Sequence, residues 1–63
     1  MNLESKELEA IFSLVCREIE IIESEITKAL KAHNAKEFNA GVEYRTTLYD
    51  IKAKVSLEYL VLA

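Results

Sequence analysis

The sequence has no proline and no tryptophan, a single glycine (Gly41) and a single cysteine (Cys16). Without proline and with one glycine, the chain lacks the residues that break helices and punctuate turns, which argues against a fold of many short strands. One cysteine cannot form an internal disulfide, and no histidines and cysteines are spaced for a structural metal, so the usual staples of a small domain are missing. No apolar run approaches the roughly 18 residues of a membrane span, because glutamates interrupt the first half throughout, so no membrane partner is expected. The start, Met1-Asn2-Leu3-Glu4-Ser5, has neither the basic nor the apolar segment of an export signal. With the lone thiol this gives the expectation of a cytoplasmic protein. Positive charge is also scarce. A net charge of −3 argues against coating nucleic acid through bulk electrostatics.

Apolar residues, by contrast, make up 51% of only 63 positions. Residues 1–63 make one domain at most, below the size at which a single core usually suffices. Two helices side by side cannot enclose a core, so self-association is the remaining way to bury this surface.

The apolar pattern is interrupted once, at the polar run Lys31-Ala32-His33-Asn34-Ala35-Lys36-Glu37. Asn34 followed three residues later by Glu37 matches a capping box, with the Asn side chain accepting from the new helix and Glu37 reaching back to the Asn34 N–H. The expectation is an all-α, two-helix antiparallel hairpin that self-associates, most simply as a dimeric four-helix bundle. Its first helix covers about 3–32 and is capped by Asn2 or Ser5, its turn lies at about 33–34, and its second helix covers about 35–62.

Along the first helix Leu8, Phe12, Val15, Ile19, Ile22, Ile26, Ala29 and His33 keep three-and-four spacing, the seam of knobs-into-holes packing. Ile11, Leu14, Cys16, Ile21 and Leu30 widen that stripe, which calls for more than one packing partner. Acid early and base late, from Glu4 to Lys28 and Lys31, complements the helix dipole. The second helix has an ambiguous inward face: Phe38, Gly41 or Val42, Tyr44 or Arg45, Leu48, Ile51 or Lys52, Val55, Tyr59, Leu62. Folding at Asn34 sets Ala29 opposite Phe38, Ile26 opposite Gly41, Ile19 opposite Leu48 and Phe12 opposite Val55. Asp50 and Lys54 stand in the favourable acid-first order. The tail from Leu57 to Leu62 is apolar nearly all round, which anticipates docking on another subunit.

Catalytic chemistry finds little support. Cys16 and His33 sit about 25 Å apart along one helix, too far for a nucleophile–base pair. His33 and Glu37 are too few to hold a metal, and no Glu-x-x-His pair of the di-iron type is present. Glu18, Glu20, Glu23 and Glu25 read as a solvated outer face. The expectation is a protein without enzymatic activity, metal or cofactor.

One cluster carries chemistry of another kind. Arg45, Tyr49 and Lys52 share a face at four-and-three spacing, two cations flanking a ring, which suits a small anionic ligand such as a nucleotide. Against this stands the plainer expectation that the stems pack at the edge of the seam while the charged heads reach glutamates of a neighbouring helix. A second basic group, Lys28, Lys31, His33 and Lys36, gathers at the turn and is the alternative surface for RNA. The reading preferred on sequence is an oligomeric adaptor, inhibitor or regulator whose partners are itself and another protein.

Overall fold

In the computed structural model, which describes residues 4–62, two helices account for all regular structure: α1 (Ser5–Lys31) and α2 (Ala35–Leu62). They pack along their length as an antiparallel hairpin, a rod of 44 × 14 × 14 Å. None of the described helices is long and apolar enough to cross a membrane.

The start of α1 falls one residue earlier than serine capping would place it. Glu4 is the cap, extended at φ −74° and ψ 159°, and its N–H donates to Glu7 Oε1 at 3.0 Å. Ser5 is therefore already helical, and Asn2 lies outside the described residues. A glutamate at the cap gains its hold from the acid three residues on, which also favours the positive end of the helix dipole.

The turn is closed entirely by main-chain groups. His33 takes a left-handed conformation (φ 56°) and its N–H donates to the Leu30 carbonyl at 3.1 Å, while the Asn34 N–H donates to the Ala29 carbonyl at 2.9 Å. These two bonds are the Schellman arrangement that satisfies the last carbonyls of a helix. Asn34 then caps α2, its Oδ1 accepting from the Glu37 N–H at 3.1 Å. The reciprocal half of the expected capping box does not form, because the Asn34 N–H that Glu37 would reach is already given to Ala29. His33, expected as the last seam residue, is turned out to solvent by its positive φ.

The core is narrow. Leu8, Val15, Ile19, Ile26, Ala29 and Leu48 are its buried side chains, with Val15, Ile19 and Leu48 at the centre and Ile11 and Ile22 packed against them. Gly41 is buried as well, and a β-carbon built there would lie 2.7 Å from Ile26 Cγ1, so Ile26 does face Gly41. On α2 the inward choice falls to Gly41, Arg45 and Lys52, whereas Tyr44 and Ile51 are exposed. Four serine and threonine hydroxyls inside the helices are used locally. Thr27, Thr46, Thr47 and Ser56 each donate to the carbonyl four residues back, a common fate of helical serine and threonine.

Candidate functional site: the two faces of the hairpin

Seen along its axis, the hairpin has two broad faces, one on each side of the seam. One is marked by two hydrogen bonds between helices. Tyr49 Oη donates to Glu23 Oε1 at 3.2 Å, and Tyr59 Oη donates to Glu9 Oε1 at 2.9 Å. At 100° per residue these partners lie on matching flanks of α1 and α2, which fixes this side as a single surface. Spacing could not reveal these contacts, since each joins residues far apart in sequence.

Arg45 and Lys52 are half-buried at the edge of the same face. Lys52 Nζ stands 5.6 Å from the centre of the Phe12 ring and 5.8 Å from that of Tyr49, within range of cation–π attraction to both. Among the described residues the ion pairs are Lys54–Asp50 at 3.0 Å and Lys28–Glu25 at 3.9 Å, both within one helix. Among the described residues neither Arg45 nor Lys52 thus forms an ion pair with a carboxylate. The tyrosines, rather than the cations, meet the glutamates of α1. Of the four carboxylates read as a solvated outer face, Glu23 is engaged by Tyr49 and Glu18 is half-buried.

The Glu23 contact perturbs the phenol. Its hydrogen bond and then its charge raise the Tyr49 pKa above the ordinary tyrosine value, while Arg45 pulls weakly the other way. The three residues read as one cluster in the sequence are therefore neighbours here, but with a carboxylate among them. The other basic group, Lys28, Lys31, His33 and Lys36, is exposed around the turn, with Lys28 beside Glu25.

Two clefts open on the tyrosine-marked face. The larger, about 650 Å³, lies toward the free ends of the helices, between Leu8, Glu9 and Phe12 of α1 and Val55, Tyr59 and Leu60 of α2. Phe12 and Val55 thus share the layer expected of them. The smaller, about 290 Å³, lies at the turn among Ala29, Leu30, His33, Asn34 and Phe38. Each is bordered by a leucine that the hairpin leaves in water, Leu60 at 71% and Leu30 at 61% exposure.

On the opposite face Leu14 and Ile21 of α1 and Tyr44 and Ile51 of α2, each pair seven residues apart, are also exposed. Cys16 is a half-buried free thiol, and among the described residues no three of His, Cys, Asp and Glu gather to hold a metal ion. No family model matches the chain, and neither a curated protein nor a solved structure matches it.

Proposed function

We propose that this chain is a non-enzymatic binding module that acts as a homodimer, two hairpins forming a four-helix bundle, and serves another protein as an adaptor, inhibitor or regulator. The observation that carries the proposal is the exposure of large apolar side chains on two opposite faces of one thin rod. One exposed leucine needs no explanation, but large apolar side chains left in water on both sides of a two-helix layer, Leu30, Tyr49 and Leu60 on one and Leu14, Ile21, Tyr44 and Ile51 on the other, are what a surface that works covered presents. A dimer interface covers one of them and leaves the other for a partner.

Light scattering at micromolar concentration tests the first part, with a mass of two chains expected and a folded, fully helical monomer refuting it. For the second part, a protein retained by the wild-type dimer is expected to be lost when exposed apolar residues of the uncovered face become serine, with the dimer itself unchanged.

Arg45 and Lys52 support a second reading, a small anionic ligand held beside Tyr49, because both cations are half-buried without an ion-paired carboxylate among the described residues. Glu23 counts against it, standing where an anion would approach Tyr49. A thermal-shift panel of nucleotides and phosphorylated metabolites decides, since a ligand bound at this site raises Tm.

A further inference from the structure

The two faces are not equivalent in charge, and this difference selects the one that pairs. On the tyrosine-marked face the flank of α1 carries Glu9, Glu20 and Glu23, while the flank of α2 carries Arg45 and Lys52 and no acid. On the opposite face both helices contribute acids, Glu7, Glu18 and Glu25 from α1, the last with Lys28 beside it, and Glu37 and Glu58 from α2. Two copies meeting through that opposite face bring like charges together. Two copies meeting through the tyrosine-marked face bring unlike charges together, provided that α1 of one lies over α2 of the other. Resting on the dimer proposed above, we infer that the hairpin pairs with a second copy through the tyrosine-marked face, about a two-fold axis running along the helices, with Arg45 and Lys52 as the cations that reach the partner's glutamates.

Three features agree with this. A two-fold along the helices keeps every residue at its own height in the rod. Gly41 lies opposite Ile26, so Arg45, one turn further on, stands at the height of Ile22 and Glu23. The axis therefore sets Arg45 of each copy beside Glu23 of the other. The same operation lays each exposed leucine over a hollow: Leu60 over the second copy's cleft between Phe12 and Tyr59, and Leu30 over its cleft at the turn. At about 650 Å³ the cleft far exceeds the ~30 Å³ that one water occupies, so it is room for side chains rather than for one water.

Area agrees as well. The chain exposes 5038 Å², whereas a compact monomer of 7.2 kDa exposes ~4,100 Å² by the usual mass scaling. The surplus of ~900 Å² is close to the ~800 Å² that each partner contributes to a stable interface of standard size.

Charge exchange between chains tests the arrangement. Glu23→Lys sets lysine against Arg45 of the other copy, and Arg45→Glu sets glutamate against Glu23, so each variant alone is expected to weaken the dimer by about tenfold or more. Mixed in equal amounts they form a heterodimer in which both contacts are again of opposite sign, and affinity returns toward wild type. A contact within one chain cannot produce that recovery. Leu30→Lys with Leu60→Lys is expected to give monomers, and Leu14→Lys with Ile21→Lys to leave the dimer in place. Circular dichroism follows helicity in each variant. If a single charge variant unfolds alone, recovery of helix on mixing is the same supporting result. A wild-type protein that stays monomeric overturns both this inference and the dimer it rests on. A wild-type dimer that ignores the charge variants, fails to recover on mixing, or dissociates through Leu14 and Ile21 instead overturns this interface alone.

Discussion

Ile26 Cγ1 occupies the space that a side chain at position 41 would need, 2.7 Å from where the first carbon would stand. Gly41 is thus required by packing, with no demand on its φ. Gly41→Ala is expected to destabilise the hairpin even though alanine gains about 1 kcal/mol in helix propensity, and Gly41→Leu to cost about 1–3 kcal/mol. Adding Ile26→Ala to Gly41→Leu is expected to recover part of the loss. Urea melts of the two single variants and the double form the cycle that measures this. A Gly41→Ala protein that melts higher than wild type contradicts the packing.

His33 holds a left-handed backbone that an L-residue adopts at a penalty and glycine adopts freely. His33→Gly is expected to stabilise by about 0.5–1 kcal/mol, a rise of a few degrees in Tm for a chain of this size. A β-branched residue such as valine is expected to lower it. Thermal melts at equal protein concentration check both.

Asn34 has two separable jobs, a main-chain N–H for α1 and a side-chain oxygen for α2. Asn34→Ala removes only the second and is expected to cost about 1 kcal/mol while leaving the turn in place. Amide exchange at position 34 is the direct check, since its bond to Ala29 survives the substitution. Loss of protection there would mean that the side chain holds the turn as well.

The Tyr49 phenol titrates above its ordinary value because of Glu23. A pKa raised in the folded state means that this contact's stabilisation is fully present below the unfolded pKa, near 10, and is lost as pH rises through the higher folded value. Ultraviolet titration of tyrosinate, compared between wild type and Tyr49→Phe, is expected to assign the late-ionising phenol to Tyr49. Glu23→Gln is expected to bring it down toward 10. No change in that variant would show that the hydrogen bond is not the cause.

Much of this architecture is legible in the residues themselves because it rests on local chemistry and periodicity. The seam from Leu8 to Ala29 follows from three-and-four spacing, the fold-back from the polar break, and the cap from Asn34 with Glu37. The pairing of Ile26 with Gly41 follows from counting outward from the turn. What escapes depends on groups competing for one partner or on distance in sequence. Ser5 is a better cap by type than Glu4, yet Glu7 favours the residue three before it. The Asn34 N–H has two suitors, Glu37 and the Ala29 carbonyl, and sequence alone does not rank them. On α2 apolar residues lie on every side, so periodicity leaves Tyr44 against Arg45 and Ile51 against Lys52 undecided. The bonds from Tyr49 to Glu23 and from Tyr59 to Glu9 depend on the flank that each helix presents, which spacing within one helix does not encode.

The backbone seal at Ala29, Leu30 and Asn34 gives the hairpin a direction. One end is stitched by main-chain bonds and followed closely by the close approach of Ile26 to Gly41, which leaves no room for a β-carbon. The other end opens into the wide cleft between Phe12 and Tyr59. Local opening is expected to start at the free ends and run toward the turn, like a zip fixed at its base. The lips of that zip are Leu60 and its neighbours, the residues that a second chain would cover. In the proposed dimer, pairing and closure would be a single event: a copy that docks on the open end would also stop the fraying of the end it covers.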